Sequence, residues 1–292
     1  MPDHLARTLS ADGAVRGLAA VTTDLVEEAR RRHGTLPTAT AALGRALTAA
    51  LLLGSMQKAG ERVSLQFSGD GPLGGILVDA TPEGHARGFV THPQTHLPPR
   101  RGKLDVGRAV GRGLLCVMRV PAGNASPYRS VVPLVSGEVG SDVARYLLDS
   151  EQTPSAVGIG VFVEPDGRVA AAGGYLLQAM PGAEAGTVDR LESNVAASAP
   201  PSDLVRQGLD ASTILTRLLA GFATRLLEEQ AVAFRCRCSR ERVAGAILAM
   251  GHEELRDLLA RERRAEIVCE FCSERYTLEE DQLRACLAEA ET

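Results

Sequence analysis

The apolar positions of the first 180 residues form short runs that predict strands and one long helix. Alanine and leucine dominate residues 38–58, a composition that favours a helix. Residues 62–68 and 76–80 are apolar segments on either side of a glycine-rich turn, and we expect two strands there. Residues 157–163 place valine or isoleucine at every second position, and the turn sequence EPDG that follows predicts a hairpin. Because hairpins and helices are mixed, the predicted fold class is α+β, with an N-terminal mixed α/β-sheet domain over residues 1–180.

Residues 181–234 differ in texture and are interpreted as a helical linker. The segment SAPPSDL, at 198–204, is typical of a junction before a helix, with Ser202 as the N-cap. Apolar residues beyond it recur three and four positions apart, which predicts an amphipathic helix packed on the first domain. The members of this apolar stripe are Ile214, Leu215, Leu218, Leu219, Phe222, Leu226 and Leu227.

The last 58 residues, 235–292, are unusually polar and are interpreted as a separate small domain. They contain 23 charged side chains, against 45 in the 234 residues before them. A segment so small and polar can bury little apolar surface, and domains of this kind need an additional cross-link to fold. We therefore expect this C-terminal domain to depend on a metal ion or a disulfide.

Three helices are predicted within the C-terminal domain. Ser239 is suited to cap the first, and Gly251 is suited to end it. Thr277 and Glu280 have the spacing of a capping box at the start of the third. The apolar positions that define the helices are Val243, Ile247 and Met250 in the first, Leu255, Leu258 and Leu259 in the second, and Leu283 and Leu287 in the third.

Composition and charge argue against several classes of protein. The chain has 292 residues, a net charge of −4, 3% aromatic residues and no tryptophan. Nucleic-acid binders normally present a basic surface and aromatic side chains that stack on bases, and this composition favours neither. The most apolar helical run, residues 46–56, is too short to cross a bilayer, and the N-terminus lacks the apolar core of a signal peptide. We therefore expect a soluble, cytoplasmic protein that binds neither nucleic acid nor membranes.

Four of the six cysteines form two pairs near the C-terminus. Cys236 and Cys238 are separated by one residue, Cys269 and Cys272 by two, and thirty residues lie between the pairs. Cysteine pairs from two segments can complete a tetrahedron of thiolates, a ligand set typical of structural zinc. A reducing cytoplasm disfavours permanent disulfides, so the clustering favours metal or redox chemistry. The sequence predicts one zinc ion bound by these four cysteines.

The C-x-C pair also suggests redox chemistry. Cysteines two positions apart on an extended segment lie on one face, about 6.6 Å apart, near the upper limit for a disulfide. A disulfide there would close a very small and strained ring, and strained disulfides are the labile ones. Positive charge around the pair favours the thiolate, and a zinc site that doubles as a redox switch and a purely structural one both remain open. The surrounding cations are Arg235, Arg237, Arg240 and Arg242.

The motif FRCRCSRER followed by VCEFCSERY resembles that of the redox-regulated, thirty-three-kilodalton heat-shock chaperone family. The resemblance extends over the whole chain. The segments TAALGRALTAALLL, GDGPLGG, SGEVGSDVARYLLDSEQTPSAVGIGVFV and GGYLLQAMPGA are similar to blocks of that family. All four cysteine positions of the family motif are present.

The resemblance implies a chaperone that is not an enzyme and has no catalytic residues. It implies that the reduced form binds zinc through Cys236, Cys238, Cys269 and Cys272 and is inactive. Oxidation would form the disulfides Cys236–Cys238 and Cys269–Cys272, expel the zinc, and disorder the zinc domain and the linker. The active form, usually a homodimer, would bind unfolding client proteins without ATP. Clients would pass later to the ATP-dependent seventy-kilodalton chaperone system.

Two rival functions are kept for comparison with the structure. A thiol–disulfide oxidoreductase would use Cys269 and Cys272 as its redox pair, normally at the N-terminus of a helix beside a βαβ unit. A zinc-ribbon nucleic-acid binder would need a basic face, whereas the C-terminal domain has 10 Arg and 13 acidic residues. The two cysteines outside the motif, Cys116 and Cys286, are predicted to be core residues.

Several weaker patterns are given ordinary structural interpretations. The G-x-G-x-x-G pattern of residues 69–74 contains Pro72 and precedes a strand, so we expect a turn and not a phosphate loop. The histidines His92 and His96 lie beside prolines and predict a loop, not a metal site. The acidic residues Glu138, Asp142 and Glu151 are expected to cap backbone groups or to face solvent.

Overall fold

The structure is a computed structural model that describes residues 1–123 and 125–290. Its contacts divide the chain into two compact units, Met1–Arg235 and the residues from Cys236 onward. The boundary falls directly before the first cysteine of the C-x-C pair. Each unit is described separately.

The first unit is built from two sheets and several helices. Within the described residues one sheet has five antiparallel strands in the order β10-β1-β2-β9-β8, and the other has six in the order β11-β5-β4-β3-β6-β7. The elements are β1 (His4–Ser10), β2 (Val15–Val21), α1 (Thr23–His33), α2 (Pro37–Gly54), β3 (Arg62–Gly69), β4 (Gly75–Ala80), β5 (His85–Val90), α3 (Val106–Val110), β6 (Gly113–Val120), β7 (Tyr128–Pro133), α4 (Gly140–Asp149), β8 (Ser155–Val163), β9 (Val169–Ala179), α5 (Thr187–Ala197), α6 (Pro201–Arg206), α7 (Ala211–Leu218), β10 (Thr224–Ala231) and β11 (Ala233–Phe234).

Helix α2 is the centre of this unit and contacts strands of both sheets. Every residue of the helix except Pro37 and Arg45 is buried. A helix that is apolar on all sides must be enclosed, and its alanines leave room for close neighbours. At Gly44 an added Cβ would lie 2.5 Å from a methyl group of Val26, so glycine is what allows helix α1 to pack here. The unit therefore has an extensive aliphatic core of its own.

The structure confirms the α+β prediction and most of the predicted elements of this unit. Strands β3 and β4 occupy the two predicted apolar segments, and β8 and β9 form the predicted hairpin. The long helix begins and ends slightly earlier than expected, at Pro37 and Gly54.

The prediction that Ser202 caps a helix is wrong. Helix α6 begins one residue earlier, at Pro201, and no side chain caps it. Proline is favoured in the first turn because its φ angle is preset and its missing N–H would be unpaired there in any case. Ser202 instead lies against Gly160, where an added Cβ would meet its side chain at 2.9 Å.

The prediction of a helix across Leu226 and Leu227 is also wrong. Gly221 has a φ of +83°, a conformation typical of the residue that ends a helix. Beyond it, β10 pairs antiparallel with β1, and β11 pairs parallel with β5. The two leucines are 48% and 47% exposed on the edge strand, whereas Leu218 and Leu219 are buried under the helices. Residues 224–234 are thus strand, and only residues 187–218 of the predicted linker contain helices.

The second unit consists of helices around a short hairpin. Its elements are α8 (Arg240–Leu248), α9 (His252–Glu262), β12 (Ala265–Val268), β13 (Arg275–Leu278) and α10 (Glu280–Ala290). Strands β12 and β13 pair antiparallel, with Ile267 opposite Tyr276. The buried residues of its small core are Val243, Ile247, Leu255, Ala265, Leu278, Leu283 and Cys286.

Two details of the predicted helices in this unit need correction. Met250 lies beyond the end of α8 and is 49% exposed, so the first helix is shorter than expected. Thr277 belongs to β13 and cannot cap α10. The residue before the helix is Glu279, whose backbone N–H donates to the Gln282 side chain at 3.1 Å. A capping-box interaction therefore exists, shifted by two residues from its predicted position.

Asp3 connects the start of the chain to helix α1. Its Oδ2 accepts the backbone N–H of Leu25 at 2.7 Å, at a helix end that its own N-cap residue, Thr22, does not cap. The other carboxylate oxygen is buried without a hydrogen-bond partner among the described residues. Burial raises the pKa of Asp3 from 3.8 to about 6. The folded chain thus holds a proton here that the unfolded chain releases.

Asp3→Asn should change how the stability of the first unit depends on pH. Because the folded-state pKa is the higher one, Asp3 favours folding below about pH 4 and progressively less as the pH rises through 6. Relative to Asp3→Asn, the unfolding free energy of the wild type should fall by about 2 to 3 kcal/mol between pH 4 and 7. Urea unfolding over a pH series measures this. Asp12→Asn, at an exposed carboxylate, is the control, and identical pH profiles for wild type and Asp3→Asn would contradict the assignment.

Candidate metal centre

The C-x-C pair is held at the entry to helix α8. Cys238 directly precedes Ser239, whose side-chain oxygen accepts the backbone N–H of Arg242 at 3.3 Å and so caps the helix. This confirms the predicted cap. The positive end of the helix dipole lies next to the cysteine and favours the thiolate form.

The C-x-x-C pair forms a tight turn between strands β12 and β13. The Cys269 carbonyl accepts the backbone N–H groups of Cys272 at 3.3 Å and of Ser273 at 2.7 Å, and the Cys269 N–H donates to Glu274 at 2.9 Å. Ser273 has a φ of +56°, which lets the chain reverse direction. The hairpin therefore fixes both thiols of this pair before any metal is considered.

The fold brings all four predicted ligands together. Their sulfur atoms lie within 4.8 Å of one another, with Cys236 Sγ 3.8 Å from Cys269 Sγ and Cys238 Sγ 3.4 Å from Cys272 Sγ. Four sulfurs bound tetrahedrally at about 2.3 Å from one zinc ion would be about 3.8 Å apart. The donor set and its spacing thus fit a soft divalent cation such as zinc.

The electrostatics of the thiols also fit a cation. Burial raises the pKa of the Cys272 and Cys269 thiols, and the neighbouring Cys236 sulfur adds to this effect. Four thiolates in so small a volume would repel one another, and a bound cation removes this penalty because it stabilises the deprotonated sulfurs. Metal binding should therefore release protons from the cluster.

Two side chains near the cluster have roles that the sequence did not predict. The Tyr276 hydroxyl donates to Cys238 Sγ at 3.1 Å, and this hydrogen bond raises the pKa of the tyrosine. Arg240 donates to the Thr277 carbonyl at 3.2 Å and to the Gln282 side chain at 3.3 Å. This arginine therefore ties helix α8 to the hairpin and to α10. The tyrosine lies four residues after Cys272, and that proximity was the one signal available in the sequence.

The remaining cysteines occupy the predicted core positions. Cys116 lies on β6 and is 8% exposed, with the Arg129 guanidinium donating to its sulfur at 3.1 Å. Cys286 lies on α10 in the small core of the second unit. Neither sulfur belongs to the four-cysteine cluster.

The weaker patterns also have the structural roles expected for them. Residues 69–74 form a turn between β3 and β4, and His92 contacts the Pro72 carbonyl at 2.9 Å. Asp142 is fully buried and accepts the backbone N–H groups of Val135 and Ser136 at 2.8 and 3.0 Å. Glu138 pairs with Arg45, and Glu151 pairs with Arg119 at 2.8 Å.

An α+β unit followed by a small domain with a four-cysteine metal-binding cluster defines the class of protein. The family model described as Hsp33 protein matches residues 3–279, and the chain belongs to this family. The resemblance seen in the sequence is thereby confirmed.

Relatives and a solved structure agree with this assignment. The 33 kDa chaperonin of Geobacillus kaustophilus is 45% identical over 97% of both chains. That of Symbiobacterium thermophilum is 49% identical over 97% of this chain and 96% of its own. The crystal structure of the 33 kDa chaperonin (heat shock protein 33 homolog) from Thermotoga maritima superposes with a TM-score of 0.92, at 35% identity and 99% coverage of both chains.

The helices were also compared with the requirements of a membrane span. Across the described parts of the chain, none is both long and apolar enough to cross a bilayer.

Elemental analysis of the reduced chain should find about one zinc per chain. Cys272→Ser should lower the zinc affinity by orders of magnitude, because it removes one of four ligands from a site of a kind worth about 10–16 kcal/mol. Competition with a chromogenic chelator measures the affinity. Cys286→Ser, in the same unit but outside the cluster, is the matched control. A metal-free chain with a folded second unit would contradict the proposed site.

Replacing both Cys116 and Cys286 with alanine should leave the oxidative response of the chain intact. Both thiols are buried in cores and neither lies in the cluster, so the expected cost is limited to stability. Zinc release under peroxide, compared with the wild type, measures the response. A double variant that stays folded yet no longer releases zinc would show that the switch has been assigned to the wrong cysteines.

Proposed function

We propose that this chain is a redox-regulated holdase that is inactive while reduced and zinc-bound, and that oxidation activates it. The observation that supports this most directly is the convergence of Cys236, Cys238, Cys269 and Cys272 in a unit with very little core. Membership of a chaperone family supplies the class of activity. The binding of unfolding client proteins without ATP follows as the proposed task.

The cluster is proposed as the element that determines whether the second unit is folded. The core of this unit is small, and most of its remaining surface is charged. A structural zinc site contributes about 10–16 kcal/mol, far more than so small a core can supply. When bound, zinc would hold the C-x-C segment and the hairpin together. Without it, we expect the unit to lose its order.

Oxidation is proposed to remove the ligand set by joining the sulfurs in pairs. Formation of Cys236–Cys238 and Cys269–Cys272 releases two electrons and two protons for each disulfide, which an oxidant such as a peroxide takes up. The closest sulfur pairs, at 3.4 and 3.8 Å, are between the motifs and not within them. A disulfide requires about 2.05 Å between its sulfurs, so the cluster must rearrange and can no longer bind the cation.

The disulfides proposed to form would stabilise the unit only slightly. The chain-entropy gain from a cross-link grows with loop length, and both loops here are very short. Oxidation therefore exchanges a strong cross-link for two weak ones. Disorder in the second unit is the expected result.

Client capture is proposed to use apolar surface in the segment before the second unit. Helix α7 covers strands β1 and β2 with Ile214, Leu215, Leu218 and Leu219, all nearly or fully buried. The contact is close, because an added Cβ at Gly17 would lie 2.9 Å from Leu215. If α7 loosens, both its apolar face and the sheet beneath it become available to unfolding chains.

The partners and the location form part of the same proposal. The active species is proposed to be a cytoplasmic homodimer that passes its clients to the ATP-dependent seventy-kilodalton chaperone system. The rival oxidoreductase function is not favoured, because the C-x-x-C pair lies in a hairpin turn and not at the start of a helix. Insulin reduction would detect that activity directly.

Zinc release and suppression of aggregation should rise together when the reduced chain is treated with peroxide at elevated temperature. Hydrogen exchange should show loss of protection first in residues 236–290, then in helices α5 to α7, and hardly in helix α2 and the strands around it. A chemically unfolded enzyme is a suitable client. An oxidised chain that prevents aggregation while α5 to α7 and the second unit stay fully protected would exclude activation by disorder.

A further inference from the structure

The hydrogen bond from Tyr276 to Cys238 is fixed by the fold of the second unit. Tyr276 lies on β13 opposite Ile267, and its ring packs against the small core. Its hydroxyl reaches across to the C-x-C segment and donates to Cys238 Sγ at 3.1 Å. Because the ring is held by packing, the hydroxyl is aimed at this one sulfur.

This donor differs from those of the C-x-x-C thiols. Cys269 accepts a hydrogen bond from the backbone of Phe271, and Cys272 accepts one from the backbone of Glu274. These donors belong to the turn that carries the two cysteines. Cys238 depends instead on a side chain from a segment 38 residues further along the chain. A side-chain donor can be removed by substitution without changing the turn.

We propose that Tyr276 is a positioning residue that slows oxidation of the Cys236–Cys238 pair while the second unit is folded. The inference rests on the proposed function, because it concerns the same four thiols. Tyr276 does not itself react. It acts on Cys238 through the hydroxyl hydrogen bond, which lasts as long as β13 and the small core remain in place.

The chemistry explains the direction of the effect. A peroxide oxidises Cys238 when its thiolate attacks one peroxide oxygen, which breaks the O–O bond and gives a sulfenic acid and hydroxide. The Cys236 thiolate then attacks the Cys238 sulfur, forms the disulfide and displaces a second hydroxide. Two electrons pass from the two sulfurs to the peroxide, and the two hydroxides become water on protonation. A hydrogen bond that stabilises the attacking thiolate lowers its nucleophilicity and slows the first step.

The test compares Tyr276→Phe with the wild type, both as full-length, reduced, zinc-loaded chains. The phenylalanine keeps the ring in the core and removes only the donor. Hydrogen peroxide is added, samples are quenched by alkylation, and mass spectrometry gives the initial oxidation rate of each cysteine. The Cys236–Cys238 pair should oxidise about fivefold faster in the variant, the factor expected for one lost hydrogen bond. The rate of the Cys269–Cys272 pair should not change.

Tyr128→Phe is the matched control, because this tyrosine is 58% exposed on β7 in the first unit. It should oxidise like the wild type at all four cysteines. The ratio of the two pair rates is the decisive quantity, since a general loosening of the unit would accelerate both pairs equally. Cobalt substitution gives a second readout. Loss of the hydrogen bond should move the sulfur-to-cobalt charge-transfer band of Tyr276→Phe to lower energy.

Three outcomes would overturn the inference. These are an unchanged ratio of rates, equal acceleration of both pairs, and loss of the metal in Tyr276→Phe, which would make the hydroxyl a determinant of binding and not of reactivity. Failure of the proposed function is a separate result. It would appear in the wild type, as a reduced chain that binds no zinc or an oxidised chain that does not suppress aggregation.

Discussion

The approach of four cysteine sulfurs from two distant segments is the constraint on which the second unit depends. The C-x-C pair precedes a helix, the C-x-x-C pair closes a hairpin, and thirty residues separate them. The few buried apolar side chains between these segments form a core too small to hold them alone. Burial of the thiols makes their charged forms unfavourable, so the same geometry that assembles the cluster also calls for a cation.

The first unit is stabilised on a different physical basis. Helix α2 is buried between two sheets, and aliphatic side chains fill the space around it. Hydrophobic burial of this kind does not respond to the oxidation state of a thiol. One chain therefore combines a unit whose fold is permanent with a unit whose fold is conditional on its ligand. That combination suits a protein of a chaperone family whose activity is proposed to depend on redox conditions.

Structure and reactivity share residues in the second unit. Tyr276 is part of the core through its ring and part of the cysteine cluster through its hydroxyl. Arg240, expected only to add positive charge near the C-x-C pair, instead connects α8 to the hairpin and to α10. Because the unit is so small, few side chains serve the fold alone, and a change in packing is felt at the sulfurs.

The sequence by itself determined the fold class, the strands and helices with strong local patterns, the cysteines of the cluster and the family. These features depend on local periodicity or on motif spacing, which a single sequence displays. It could not determine that Leu226 and Leu227 lie on a strand, since the pairing of β10 with β1 joins residues more than 200 positions apart. Nor could it determine the start of α10, where Thr277 is used by the hairpin. The donor to Cys238 was likewise decided by tertiary structure, because a hydrogen bond between residues 38 positions apart requires two separately folded segments to be packed together.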